Sequence, residues 1–213
     1  MAQALATFQY IASAPLRTRR FNDLKHLGTN MWRLLDDLVD QGVLARLAYG
    51  IYTAPPDGRS SKAWRPGLET AGLAIATARH GERSVALMGI GAARHWSAIP
   101  RAIGSTVIAV PTAGRRPIDT SSGRIHFVQR DLSQVDAVLE QTELGSALIT
   151  TPEQTLFDLL MRPHQGGEVD SARAAAQQII PQVSPADFEE IIGSHSRIND
   201  AVREVAATIG ASS

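Results

Sequence analysis

Arginine clusters in "PLRTRRFNDL", where Arg17, Arg19 and Arg20 precede a short apolar-periodic stretch. A guanidinium is a permanent cation with a planar fork of donors, suited to bidentate contact with phosphate oxygens. A second group lies in "GTNMWRLLDDL", which brings Thr29, Asn30, Trp32 and Arg33 together. An Asn amide pairs with adenine, an Arg with guanine, and an indole packs on sugar or on a thymine methyl. A third group, Arg46 and Tyr49, lies in "VLARLAYGIYTAP". These types support phosphate neutralisation by some residues and base reading by others. Each has a plainer reading beside it: solvated surface for the arginines, and packing on the neighbouring ribbon for Trp32. Tyr49 can simply cap a turn, or reach a backbone phosphate.

The chain also holds residues that invite a catalytic reading. His95 sits beside Arg94 and Trp96, with Ser97 two residues on, but no G-x-S-x-G elbow is present, and a structural histidine is the reading preferred. The six histidines lack the i, i+4 spacing of a metal site, so no bound metal is expected. "GIGAAR" from Gly89 lacks the third glycine of a dinucleotide fingerprint and the lysine of a P-loop; it reads as a point of close helix packing. Glu153 and Asp158, the carboxylates of "ITTPEQTLFDLL", lack the lysine that generally accompanies a nuclease metal site. A DNA-tethered α/β nuclease or hydrolase is therefore the alternative, and no catalytic residue, cofactor or enzymatic activity is expected. With no cysteine, disulfides, thiolate zinc sites and cysteine nucleophiles are excluded.

The elements that must position the basic and polar groups are legible in outline. In "AQALATFQYIAS", Leu5, Phe8 and Ile11 recur at three to four residues, the period of a buried helical face. Thr18 is expected to cap a second helix through Phe21, Leu24 and Leu27, with Gly28 ending it. Thr29 or Asn30 restarts the chain, and Met31, Leu34, Leu35 and Leu38 form the stripe of a third helix that Gly42 stops. If that stripe faces the core, Asn30, Trp32, Arg33, Asp36, Asp37 and Asp40 face outward. The three aspartates repel phosphate, so only the first turn or two of the helix can approach a duplex closely. Three short helices followed at once by a β-ribbon give the order of a winged helix-turn-helix, with the ribbon as wing.

"TAPPDGRSSKAWRPG" concentrates Pro, Gly and Ser and reads as an exposed connection over 56–67. It divides the chain into a DNA-binding unit, 1–55, and a unit over 68–213. In the second, "STVIAVP" and "RIHFVQRD" read as strands, and a helix is expected around Gly91 to Trp96. "ALITTPEQTLFDLLM" reads as a strand followed by a Thr-Pro helix start. Three further helices are expected near Glu168 to Ile180, Pro185 to Ile192 and Ile198 to Ile209. The fold class is thus α+β, a winged helix-turn-helix followed by a mixed α/β domain with a helical end.

The totals agree with a globular protein. In 213 residues, 44% are hydrophobic and 20% charged, no apolar run is long enough to span a bilayer, and the first twenty residues lack the order of a secretion signal. A cytoplasmic location with no membrane partner is expected. Lys plus Arg and Asp plus Glu both number 21, yet nine basic against five acidic residues up to position 65 give +4. The remaining twelve against sixteen give −4. A basic segment of this kind suits a polyanionic partner.

Several stretches in a fixed order carry a family likeness. Gly50-Ile51-Tyr52 in the ribbon is followed by "GAARHWSAIP", "VIAVP", "GRIHFVQRD" and "ITTPEQTLFDLL". From about Phe8 to Met161 the chain resembles the AbiEi antitoxins of abortive-infection toxin–antitoxin systems. The resemblance implies a transcriptional autorepressor whose winged helix binds double-stranded DNA at repeats in its own promoter. It further implies that the C-terminal domain opposes, directly or indirectly, a cognate toxin resembling a nucleotidyltransferase. The DNA contacts then fall on Arg17, Arg19, Arg20, Thr29, Asn30, Trp32, Arg33, Arg46 and Tyr49. One departure stands out: the family's wing often reads Arg-Gly-x-Tyr, whereas Tyr49 precedes Gly50 here, leaving less phosphate-binding charge at the tip. Asp187, Glu189, Glu190, Asp200 and Glu204 read as a solvated face that becomes, under the resemblance, a candidate acidic surface toward the toxin.

Overall fold

The computed structural model describes residues 2–112 and 116–211. The first helix, α1 (Ala2–Ala12), buries Thr7 and Ile11. Its Leu5, expected inside, is 58% exposed, because the helix packs through the Ala4, Phe8, Ile11 and Ala12 side. The chain then turns through Pro15–Arg17, where Leu16 and Arg17 both adopt positive φ. Two consecutive left-handed non-glycine residues cost free energy, and the surroundings hold them in place. Ala54 N–H donates to Arg17 O at 2.9 Å, and the Thr18 hydroxyl donates to Leu16 O at 2.6 Å.

Thr18 does not cap a helix. Thr18–Arg20 is a strand, β1, and helix α2 (Phe21–Leu24) follows it, continued by a tight turn over Lys25–Leu27. The N-cap of α2 is Arg20, whose backbone N–H donates to Asp23 Oδ2 at 3.3 Å. Helix α3 (Met31–Asp40) buries Met31, Leu35 and Leu38 as its periodicity requires, and Gly42, at φ +81°, ends the element that Asp40 closes. The ribbon consists of β2 (Ala45–Ala48) and β3 (Ile51–Thr53), joined by Tyr49-Gly50 with Ala48 opposite Ile51. Both β1 and β2 pair antiparallel with β3, giving a three-stranded sheet in the order β1-β3-β2.

Ile11, Leu24, Met31, Leu35, Leu38, Leu44 and Tyr52 pack into one cluster between the helices and this sheet. The opposite face offers Leu16 and Ile51 to a second cluster, which includes Leu68, Leu73 and Trp64. Segment 56–67, expected as an exposed connection, is anchored. Ser61 and Trp64 are buried, the Ser61 hydroxyl donates to Leu44 O at 2.6 Å, and Glu143 accepts from Trp64 Nε1 and Gly67 N, each at 3.0 Å.

Helix α4 (Leu68–His80) buries nearly every position from Leu68 to Thr77. It separates the small sheet from a mixed six-stranded one. That sheet comprises β4 (Ala86–Met88), β5 (Ser105–Val110), β6 (Ile118–Thr120), β7 (Gly123–Gln129), β8 (Ala137–Thr142) and β9 (Gly145–Thr150). Its order is β6-β7-β5-β4-β9-β8, with β4/β9 and β5/β7 parallel. Alternation sorts the side chains of β5: Ile108 and Val110 join the α4 side, Val107 and Ala109 the other.

The far side is covered by helices α6 (Pro152–Met161), α7 (Val169–Ile179), α8 (Pro185–Gly193) and α9 (Asp200–Ala211). Helix α5 (Gly89–His95) leaves β4 directly, two residues earlier than its expected start. A Cβ on Gly91 would lie 2.3 Å from Thr106 Oγ1 and 2.6 Å from Leu87 Cδ1, so "GIGAAR" is a close helix contact. Thr151 caps α6, accepting from Gln154 N–H, with Pro152 at its first position as expected. The whole is a mixed α+β architecture.

Candidate nucleic-acid interface

The outward face of α3 is as its stripe requires: Asn30, Trp32, Arg33, Asp36, Asp37 and Asp40 are all exposed, and so is Thr29. Asn30 adopts the left-handed conformation at the N-cap, where Asn is one of the few residues tolerated, and its side chain makes no capping hydrogen bond. Its amide therefore projects uncommitted from the start of the helix. Arg33, one turn on, forms no ion pair or hydrogen bond among the described residues.

Trp32 is 38% exposed, and the rest of its surface packs as the plainer reading has it. It stacks on Phe21 at 3.8 Å with 17° between the rings. Tyr49 lies 5.7 Å away across the hairpin tip, and Tyr52 meets the indole edge-on at 6.4 Å. Tyr49 itself is 88% exposed. The hairpin is thus held against the first turn of α3 by an aromatic pile. Phe21, read from sequence only as part of a core stripe, is its foundation. Phe21 N–H also donates to Gly50 O at 2.7 Å.

The arginines are less uniform. Arg17 precedes β1 and Arg19 and Arg20 lie on it; only Arg20 also stands at a helix start, as the N-cap of α2, so the three alternate and spread. Arg20 is opposite Ile51, beside the hairpin tip, whereas Thr18 is opposite Thr53 at the far end. Arg17 lies beyond Thr18, in the turn, so Arg17 and Arg20 are at opposite ends of β1. Arg17 is engaged structurally, donating from Nε to Ala54 O at 3.2 Å and from Nη2 to Pro55 O and Asp57 Oδ1, each at 2.9 Å. These bonds hold the strained turn against the end of β3. Arg19 sits over the Tyr10 ring at 4.9 Å. With Arg20 and Asp23 it lines a cleft of about 380 Å³ that ends at residues Thr77 to Glu82 of and after α4.

Two arginines near the tip are paired in water. Arg20 donates to both oxygens of Asp23, at 3.1 and 3.0 Å. That hydrogen bond holds the Asp23 carboxyl below the usual carboxylate range and raises the guanidinium in turn. Arg46 pairs with Asp36 and lies over the Tyr52 ring at 5.5 Å. Exposed pairs of this kind contribute about 0–1 kcal/mol. A phosphate can take over either guanidinium at little cost, whereas releasing Arg17 would undo a turn. The Asp36 pairing also mutes one of the three carboxylates expected to repel a duplex.

The residues weighed for catalysis have structural partners. Glu153 Oε1 accepts from Ser184 N–H at 2.7 Å, ahead of α8. Asp158 is buried in α6 and pairs with Arg130 at 2.5 Å. Burial pushes its carboxyl up to about 6, against the opposing pull of Arg130 and Arg162. His95 lies 3.6 Å from Glu140 and edge-on to Trp96. No metal-binding group of His, Asp or Glu occurs among the described residues, and no described helix is long and apolar enough to cross a membrane. Asp187 and Glu190 line a groove of about 510 Å³ with Asp136 and Gln154.

Comparison with known proteins bears on the larger unit. Residues 84–205 match the family model of the AbiEi antitoxin C-terminal domain. No curated protein sequence matches the chain. Among solved structures, the RV2827C protein from Mycobacterium tuberculosis is similar with a TM-score of 0.63 at 17% identity, over 98% of this chain and 76% of that one. At that identity the likeness concerns the fold alone. An antigenic nucleotidyltransferase-like protein from Paracoccidioides brasiliensis overlaps more loosely, with a TM-score of 0.41 at 11% identity over 60% of this chain and 79% of that one.

Proposed function

This chain belongs to the AbiEi antitoxin family, and we propose that it is the DNA-binding antitoxin and transcriptional autorepressor of a toxin–antitoxin operon. In this reading residues 1–55 are a winged helix-turn-helix, 56–67 join it to the rest, and 68–213 form the antitoxin domain that opposes a nucleotidyltransferase-like toxin. Helix α3 enters the major groove by its first turn, Asn30 and Arg33 meet base edges, and Thr29 and Trp32 pack beside them. Arg19, Arg20 and Arg46 neutralise flanking phosphates, and Tyr49 contacts DNA from the wing. Arg17 serves the same surface indirectly, by holding β1 in place.

The observation that carries the reading is the uncommitted, exposed pair Asn30 and Arg33 on the leading turn of a helix clamped to a hairpin. The two base-reading types stand exposed one turn apart, with no protein partner among the described residues to displace. The antitoxin domain behind them supplies the reason for a DNA-binding unit to be present.

A reporter placed behind the DNA upstream of the coding sequence tests it. Repression by the intact chain, lost on Arg33→Ala with unchanged protein level, is the expected result. Equal reporter activity with and without the chain would remove the repressor half of the proposal. The antitoxin half is read separately, from growth of cells carrying the neighbouring toxin gene with and without this chain.

A further inference from the structure

We propose that Tyr49 is an aromatic wedge, which stacks on a base plane and opens one step of the duplex when the chain binds DNA. This rests on the reading that residues 1–55 bind duplex DNA, and it goes beyond that reading by naming what the hairpin tip recognises. The ring is 88% exposed at the tip of a two-residue turn. Large apolar surface left in water at this extent is unfavourable, and its neighbour Trp32 is among the other exposed large side chains.

The ring is also pre-placed. Phe21 and Trp32 are stacked nearly parallel, and the Tyr49 ring stands beside Trp32, tilted by 36° at 5.7 Å between centroids. The turn is seated on that pile: Phe21 N–H donates to Gly50 O, and a Cβ on Gly50, at φ +66°, would lie 3.7 Å from Phe21 Cβ and 3.8 Å from Trp32 Cη2. The backbone that carries the ring is thus held in place, so less freedom is lost when a partner meets it than on a loose loop.

Charge argues against an electrostatic role for the tip. From Leu47 to Ile51 the hairpin carries no cation of its own, and Arg46, the arginine of the ribbon, lies three residues before Tyr49. Two contacts with DNA remain: a hydrogen bond from the phenol to a phosphate, or stacking of the ring against a base. The ring stands in solvent at the hairpin tip, where a base can lie against it, and apolar side chains that enter the minor groove unstack a step. The class of site favoured is duplex DNA with an easily opened pyrimidine–purine step.

The test uses the intact chain and duplexes of the upstream DNA with 2-aminopurine placed at successive positions. Expected is a several-fold rise in fluorescence at one or two positions on binding, for the natural chain and for Tyr49→Phe alike. Tyr49→Ala should lose the rise and bind about ten- to hundredfold more weakly, with the salt dependence of binding unchanged, since no phosphate contact is removed. Tyr49→Phe as weak as Tyr49→Ala would assign the contact to the hydroxyl and overturn the wedge. So would tight binding by the natural chain with no fluorescence change at any position. If the natural chain binds none of these duplexes, the DNA-binding reading falls first and the wedge with it.

Discussion

The two ends of the molecule both pair arginine with aspartate, in opposite surroundings. Arg46–Asp36 and Arg20–Asp23 lie on the surface of the N-terminal unit. Arg130–Asp158 lies in the helical layer of the larger unit, where the Asp158 side chain is 1% exposed. In water a pair contributes little and exchanges partners freely. Inside, the ions have lost their hydration, so removing one strands the other. The same two residue types thus give a surface that a polyanion can rearrange and a core that it cannot. Arg17 stands between them, with its donors on the backbone of the chain that follows β3.

The largest contrast should come from deleting one partner of each pair. Asp158→Ala is expected to lower unfolding free energy by about 3 kcal/mol, read by urea denaturation, because Arg130 is left without its counter-ion. Loss below 0.5 kcal/mol would mean that the inner pair behaves like the outer ones. The pH dependence sharpens the same point. The Asp158 carboxyl titrates near 6 when folded and near 4 when unfolded, so the folded state holds the extra proton between these values. Its contribution to stability is therefore greatest below pH about 4 and declines by up to about 3 kcal/mol as pH rises past 6. Asp158→Asn should flatten that decline.

Arg17→Ala comes next, with an expected loss of about 1–3 kcal/mol in stability from unpaired carbonyls and a relaxed turn. Any fall in DNA affinity should then track unfolding and be restored at lower temperature. Smallest in stability is Arg46→Ala, expected to change unfolding by no more than about 1 kcal/mol. It should nevertheless weaken binding to all DNA sequences alike and reduce the salt slope by about one. An unchanged salt slope would show that Arg46 stays with Asp36 in the complex.

Much of this arrangement is legible in the sequence, for stated reasons. Helix α3 has a single apolar stripe, so Met31, Leu35 and Leu38 locate both its core side and the exposed Asn30 and Arg33. The β-branched runs of β5 and β7 and the Thr-Pro start of α6 were equally direct. Helix α4 was not read, because a helix covered on nearly all sides has no polar face and "LETAGLAIATA" shows no stripe. Strands β6 and β8 are not legible either, and Thr18 ahead of an apolar stretch reads as a helix start where the fold has β1. In "TRR" nothing alternates; pairing with β3, more than thirty residues later, makes it a strand. The same tertiary fact separates Arg17 from Arg20. Asp36 and Asp57, the partners that decide which guanidinium is free, are likewise joined to them only by the fold.

In the proposed function the leading turn of α3 and the rearrangeable arginines beside it form one surface for duplex DNA. Its most direct test is the affinity of the intact chain and of Arg33→Ala for upstream DNA and for unrelated DNA, measured across a series of salt concentrations. Expected is a linear fall of log affinity with log salt for the natural chain. Arg33→Ala should lose about 1–3 kcal/mol of preference for the upstream sequence while remaining fully folded. A complex insensitive to salt, or an Arg33→Ala chain that distinguishes the two DNAs as well as the natural one, would contradict it.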